Sequence, residues 1–504
     1  MDHIQIDMMT VGMIIGYLIF GTYLITLIWV TIFCLMQLHL LYHYKMSIPK
    51  SNFQNKHNKR NDQLPFITIQ LPLYNEKYVV ERLIDNIVLL DYPKDRLEIH
   101  VLDDSTDDTL NITKRKVEEY KLLGFNILCH NRKDRSGFKA GALKEGMTFA
   151  NGDFIAIFDA DFLPKRDFLI QTLPAFDDPT IGVVQTRWEH INQKFSLLTE
   201  MQAFQLNVHF TIEQKGRYNA GYFLQFNGTA GLWRKECILD AGSWEADTLT
   251  EDLDLSYRAQ MKNWKIKYLE EVTAPAELPA EINGLKSQQF RWMKGGAETA
   301  KKLLPKVWKS HIKWMQKLQA TVHLLSSAVF IFVFLMGVLS VPLLFLVNPL
   351  GIDTGKLAIF MLTLLGIIIV YFIANVGVAW PKENKLKMVI KFLLLFPIFL
   401  ALSMGLAFHN SYAVIQGFLG KKTAFVRTPK YGIAIDKTKI NKTHYISNKI
   451  NWISIGEGIL CLYFGTAVYV GYLFNLKDFM AFHIMLTVGY FILFSYTIQS
   501  KIAK

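Results

Sequence analysis

Cysteine is scarce in this chain: there are four in 504 residues, and no two are spaced Cys-x-x-Cys. Cys34, Cys129, Cys237 and Cys461 therefore imply neither a zinc site nor a disulfide framework, and two of them fall in apolar runs. Gly-x-Gly-x-x-Gly and Walker sequences are also missing, which leaves a dinucleotide or NTPase site without support. A third absence divides the chain. Between about residues 65 and 300 no uncharged apolar run is long enough to cross a bilayer, which takes roughly 20 residues as a helix.

Such runs do occur elsewhere, at 11–36, 324–347, 357–380 and 392–407, with two more between 453 and 498. The central block thus reads as a soluble domain inserted after a first membrane anchor. Run 11–36 exceeds the ~7–15 residues of a signal-peptide core and lacks a basic segment before it, so an anchor is expected. Only Asp2, His3 and Asp7 precede it, whereas Lys45, Lys50, Lys56, Lys59 and Arg60 follow, which puts the soluble block in the cytoplasm. The net charge of +12 is then a membrane-topology signal and not a nucleic-acid one. Loop 420–449 is strongly basic and should also lie inside. Parity then requires 392–419 to be interfacial or re-entrant, giving five spans, and Pro397 with the polar patch His409-Asn410-Ser411 suits a segment along the surface.

From residue 66 onward, short apolar strands alternate with amphipathic helices, which predicts an α/β domain with a mostly parallel sheet and ligands at the strand ends. The expected division is an anchor over 1–44, a basic linker over 45–64, the α/β domain over 65–282 and an amphipathic interface region over 283–318. Transmembrane and interfacial helices follow over 319–419, then a basic cytoplasmic loop over 420–450 and a transmembrane hairpin over 451–504.

Polar residues gather at the predicted strand ends: Tyr74, Asn75 and Glu76 after the first, Asp103 and Asp104 after the second, Asp159 and Asp161 after a later one. A single aspartate there often caps the next helix. Three sites on one sheet edge point instead to a ligand. Asp159-Ala160-Asp161 sets two carboxylates on one side of an extended chain. Such a pair can hold Mg²⁺ or Mn²⁺ together with substrate phosphates, and the ion neutralises a departing diphosphate. Lys139 can supply a second positive charge.

Asp252, in Thr250-Glu251-Asp252, is a candidate general base, and Glu251 stands beside it. The same triplet also reads as a helix N-terminus with acids in its first turn, and the two readings are compatible. No second carboxylate is placed as a nucleophile, which favours an inverting transfer. Gln288, Arg291 and Trp292 share a helical spacing: Trp292 can stack on a sugar and Arg291 can bind phosphate oxygens. The plainer alternative is an interfacial helix over 285–316, its Trp at the lipid headgroups beside Lys294, Lys301, Lys302 and Lys306.

Together these residues resemble family 2 glycosyltransferases of the cellulose synthase type. Gln-Leu-Pro-Leu-Tyr-Asn-Glu (70–76), Val-Leu-Asp-Asp-Ser-Thr-Asp (101–107), Lys-Ala-Gly-Ala-Leu-Lys-Glu-Gly (139–146) and Phe-Asp-Ala-Asp-Phe (158–162) resemble the plant cellulose-synthase-like mannan and glucan synthases in particular. So do Val-Gln-Thr-Arg-Trp (184–188), Phe-Asn-Gly-Thr-Ala-Gly (226–231), Thr-Glu-Asp and Gln-Gln-Phe-Arg-Trp. The resemblance implies a GT-A fold, a UDP- or GDP-hexose donor and a growing glycan acceptor. Tyr74, Glu76, Asp103 and Asp104 would hold the nucleoside, with Lys139 and Asp159 on the donor and Asp159 and Asp161 on metal. Asp252, flanked by Glu251, would be catalytic, and Asn227, Gly228, Thr229, Gln288, Arg291 and Trp292 would line the acceptor end.

Phe425-Val426-Arg427-Thr428-Pro429-Lys430 is similar to the gating loop of cellulose synthases, with Arg427 in place of a valine, so Phe425, Thr428 and Lys430 would be its working residues. Nothing resembling a cyclic-dinucleotide receptor follows the last apolar run. The expected function is a processive, inverting β-glycan synthase whose partners are nucleotide sugar, glycan and lipid bilayer. Its rivals are a non-processive, ceramide-type lipid glycosyltransferase and an inactive membrane scaffold.

Overall fold

The computed structural model describes residues 8–46, 64–379, 384–423, 426–432 and 452–502. It divides into two compact units: Leu40–Leu324 with Gly420–Ile446, and Met1–His39 with Leu325–Leu419 and Ser447–Lys504.

The first unit is built on a seven-stranded sheet of order β3-β2-β1-β4-β6-β5-β7. The strands are β1 Ile67–Leu73, β2 Leu97–Asp103, β3 Ile127–His130, β4 Phe154–Ile157, β5 Ile181–His190, β6 Gly231–Arg234 and β7 Lys265–Ala276. All neighbours run parallel except β6, which is antiparallel to both β4 and β5. Strands β1, β2 and β4 are buried almost throughout, as expected of a sheet covered on both faces. Period-two alternation sorts them: Ala156 and Phe158 join one apolar core, Ile155 and Ile157 the other. Phe158 is fully buried, and its truncation to alanine costs about 3–5 kcal/mol.

From β1 the chain winds outward to β2 and β3 on one side, while β4 lies on the other. The carboxyl ends of β1 and β4 therefore form a topological switch point, the crevice where open α/β sheets bind ligands. Motif residues 74–76 leave β1 there and 158–161 leave β4. This mixed, mostly parallel α/β sheet is the expected GT-A type.

The helix expected over 285–316 is two helices, Ile282–Lys309 and Trp314–Leu324. Its lysines are also not all interfacial. Lys294 is buried and donates to Thr423 Oγ1 at 2.7 Å, while Lys302 pairs with Glu245, Asp247 and Asp254 at 2.6, 2.8 and 2.9 Å. Those three carboxylates could together hold a metal ion, but a lysine ammonium already fills the place.

The second unit is helical. Among the described residues, six helices are long and apolar enough to cross a membrane: Val11–Lys45, Ser326–Leu346, Thr354–Gly377, Lys385–Gly405, Trp452–Leu473 and Lys477–Gln499. The chain is a multi-pass membrane protein. Lys385–Gly405 covers much of the segment expected to be interfacial or re-entrant, and after Leu406 a separate helix Ala407–Leu419 follows. His409, Asn410 and Ser411 are buried within this helical unit, and His409 Nδ1 and Asn410 Oδ1 bond each other at 3.1 Å. A Cβ on Gly489 would lie 2.0 Å from the Ala401 carbonyl oxygen, so two helices meet there backbone to backbone, as only glycine permits. Ser340 Oγ with His483 Nε2, at 2.8 Å, adds a polar tie between helices. All four cysteines are free.

Candidate active site

At the switch point lies a cavity of about 240 Å³. Nearly every residue singled out from the sequence lines it: Tyr74, Glu76, Asp104, Lys139, Asp159, Asp161, Asn227, Gly228, Glu251, Asp252, Gln288, Arg291, Trp292, Thr428 and Lys430. Asp103 and Thr229 do not. Asp103 is buried and accepts from Ser105 N (2.9 Å) and Thr113 Oγ1 (2.7 Å), so it fixes the turn after β2. Thr229 Oγ1 accepts from Asp159 N at 2.9 Å and supports the acid motif from behind. Phe425 lies outside the described residues.

One end of the cavity is lined by Tyr74 and Asp104, each with an arginine partner. Arg135 stacks 3.3 Å over the Tyr74 ring, and Arg132 grips Asp104 through two nitrogens, one at 2.9 Å. Neither arginine was singled out from the sequence, although both lie in the basic stretch just before the Lys139 motif.

The centre is acidic. Lys139 Nζ donates to Asp159 Oδ1 at 2.5 Å and to the Gly228 carbonyl at 2.9 Å. Burial pulls the Lys139 pKa down, but Asp159, Glu251 and Asp252 outweigh it and the net movement is upward, so the ammonium stays charged. Gly228 sits at φ 78°, where a side chain is strained, and a Cβ there would be 3.0 Å from Asp252 Oδ2. Glycine thus lets the backbone approach the carboxylate. Asp252 lies in the first turn of helix Glu251–Met261, and Oδ1 accepts from Leu253 N at 2.8 Å. Thr250 precedes that helix without capping it and bonds Thr299 Oγ1 at 3.0 Å instead. Burial, then the Glu251 charge, pushes Asp252 up to about 7, and burial also raises Glu251.

Asp159 and Asp161 suit a hard divalent cation. Lysines take Oδ1 of Asp159 and Oδ2 of Asp161, and the second oxygen of each makes no hydrogen bond among the described residues.

Segment Val426–Gly432 reaches into the same cavity. Lys430 Nζ donates to Asp161 Oδ2 (2.7 Å) and to the Glu277 carbonyl (2.6 Å), while Tyr431 N donates to Glu277 Oε1 (2.9 Å). Arg427 pairs with Glu76 at 2.8 Å, and Thr428 Oγ1 accepts from Arg291 at 2.8 Å. Burial and the neighbouring Asp161 lift Glu76 to about 8 against the pull of Arg427 and Lys430. The sequence marked Arg427 only as a departure from the gating-loop pattern; its partner Glu76 could not be read there. Gln288, Arg291 and Trp292 share one face of helix Ile282–Lys309. A Cβ on Gly295 of that helix would lie 2.6 Å from Thr250 Cγ2, so the helix is pressed against the start of helix Glu251–Met261.

The mixed sheet, the paired acids at its switch point and buried Asp252 meet at one cavity, the arrangement expected of a glycosyltransferase. Comparison with known proteins narrows this. Residues 65–295 match the family described as glycosyltransferase like family 2. A probable glucomannan 4-beta-mannosyltransferase 4 of Oryza sativa subsp. japonica is 38% identical over 301 residues, 58% of this chain and 54% of that protein. A glucomannan 4-beta-mannosyltransferase 7 of Arabidopsis thaliana is 39% identical over 251 residues, 49% of this chain and 45% of that one. The chain thus spans about half the length of the curated relatives it matches. The solved mannosyltransferase PcManGT of Pyrobaculum calidifontis, in complex with GDP-Man and Mn²⁺, shares the fold at a TM-score of 0.50 and 20% identity, covering 72% of this chain and all of that one. Residues 65–295 thus resemble a family 2 glycosyltransferase domain.

Proposed function

We propose that this protein is a processive, inverting β-glycan synthase that transfers hexose from GDP-mannose or UDP-glucose to the end of a mannan-, glucomannan- or cellulose-type chain and passes the product across the membrane. The observation that carries this reading is one cavity holding the Asp159–Asp161 pair, Asp252, the Gln288–Arg291–Trp292 face and the 426–432 segment together. The names of the glucomannan relatives support mannose as the sugar.

In this mechanism Tyr74, with Arg135 over it, seats the nucleoside beside Asp104. Asp252 takes the proton of the acceptor hydroxyl as its oxygen bonds C1 on the face opposite the leaving group. The C1–O bond to phosphate breaks, and the nucleoside diphosphate departs against the charges of Lys139 and Arg291. Asp159 and Asp161 would hold a Mg²⁺ or Mn²⁺ ion, which supplies Lewis-acid neutralisation of the diphosphate. Trp292 stacks on the acceptor sugar, and Thr428 and Lys430 close the site. The acid cluster faces the cytoplasmic pool of nucleotide sugars.

The test is to incubate purified full-length protein with labelled UDP- and GDP-hexoses plus Mn²⁺ and digest the product with linkage-specific glycanases. A high-mass, glycanase-sensitive polymer is expected. A single sugar on a lipid would establish the non-processive lipid transferase instead, and no transfer from any donor would remove the enzyme reading.

A further inference from the structure

One polar group in the cavity wall is used by none of these steps. His190 ends strand β5, and Trp188 lies two residues back on the same face. Both side chains line the cavity. Both His190 ring nitrogens and the Trp188 indole nitrogen are closed off from solvent and make no hydrogen bond among the described residues. Trp188 is held in place by Phe162 and Phe210, with ring centroids at 5.2 and 5.0 Å. The backbone at His190 is equally fixed: it registers with Ala276 of β7, and Ile191 N donates to Ala276 O at 2.9 Å. Buried polar atoms in folded proteins are nearly always bonded, so three unbonded ones on a single rigid wall call for a ligand.

We infer that His190, with Trp188 beside it, recognises the hydroxyls of a hexopyranose in this cavity. This rests on the reading of the cavity as a sugar-transfer site and adds to it a specificity-determining residue. Burial, then the charges of Arg187 and Lys430, depress the His190 pKa to about 4, so the imidazole is neutral. A neutral imidazole offers one donor and one acceptor, and the indole one further donor. Phosphate oxygens only accept and would leave the imidazole acceptor unused. Sugar hydroxyls both donate and accept, and they match the set. The sugar can be the hexose of the donor or the terminal unit of the glycan.

The test uses full-length protein in detergent, comparing wild type with His190→Phe and His190→Gln. Calorimetry measures binding of GDP and UDP, of GDP-mannose and UDP-glucose, and of β-1,4-linked manno- and cello-oligosaccharides. His190→Phe is expected to leave nucleoside diphosphate binding within about twofold and to weaken one of the two sugar arms by about tenfold or more. The nucleotide-sugar arm identifies the donor hexose, the oligosaccharide arm the glycan end. His190→Gln, which keeps a donor and an acceptor, is expected to recover part of the loss. The thermal midpoint of His190→Phe should equal or exceed wild type, because unbonded buried nitrogens have been removed. Unchanged affinity in both sugar arms would overturn the proposal, as would a lowered midpoint with diphosphate and sugar binding falling together. Loss of transfer activity in the wild type does not enter this readout: sugar binding that depends on His190 without turnover would overturn the synthase reading and leave this one standing.

Discussion

At the scale of single residues, Asp252 shows how function and stability oppose each other. Its carboxyl is raised to about 7, chiefly by burial and then by Glu251. The folded state therefore holds this proton more tightly than the unfolded state, whose value is near the ordinary 3.8. Stability is lost as pH rises through that window, because the unfolded chain releases its proton first. Asp252→Asn removes the titration: its thermal midpoint should match wild type at a pH at or below the ordinary 3.8 and exceed it increasingly as pH rises to about 7 and beyond. The same variant should lose about 10²- to 10⁴-fold in transfer rate while still binding nucleoside diphosphate. In the wild type, kcat/KM should rise with pH on an acid limb set by the shared titration of Glu251 and Asp252. Much of this grouping was legible from sequence, since the acid pair after an apolar strand and the Thr-Glu-Asp triplet were both singled out there and line one cavity. Asp103 and Thr229 were misplaced because adjacent motif residues point to opposite sides of the chain, and only coordinates say which side faces the ligand. Arg132 and Arg135 escaped because basic residues in a loop carry no periodicity.

At the scale of elements, the 426–432 segment is held by contacts that no local pattern encodes. Arg427 to Glu76, Thr428 to Arg291 and Lys430 to Asp161 join positions far apart in the chain. Arg427→Val removes one of the three and leaves Glu76 buried without its principal counter-charge. Faster trypsin cleavage at Lys421 and Lys422 is the expected outcome, read from the digestion time course against wild type, and addition of donor nucleotide plus Mn²⁺ should narrow the difference. The broken helix over 282–324 was equally hidden, because apolar periodicity runs on through Ser310–Lys313 although the backbone turns there. A mostly parallel sheet with polar residues gathered at its strand ends, by contrast, followed from strand–helix alternation and the motif positions.

At the scale of the whole molecule, topology follows from one ion pair. Lys430 and Asp161 touch, so residue 430 is on the same side of the membrane as the catalytic block. An even number of crossings must then separate residues 324 and 420, yet three helices in that interval qualify as spans. Lys385, Lys387 and Lys391 open the third, and such a cluster favours the cytoplasmic side. We propose that Lys385–Gly405 and Ala407–Leu419 enter and return on that side. Single cysteines at Lys385 and Gly420 should react with an impermeant maleimide from the catalytic side of sealed vesicles, and one at Gly351 only from the other. Labelling of Lys385 and Gly420 from opposite sides would rule this out. Apolar length alone could not decide the matter, since a re-entrant pair and a true span share a composition.

The basic side chains resting on Glu76, Asp159 and Asp161 have a further consequence. Under the proposed function, an anionic donor and its divalent ion would bring opposite charges to carboxylates that already carry basic partners, so loading the site would change the local field little. Donor affinity should accordingly vary only weakly with ionic strength, a behaviour opposite to that of an open acidic cleft, where added salt would relieve the repulsion felt by an anionic nucleotide.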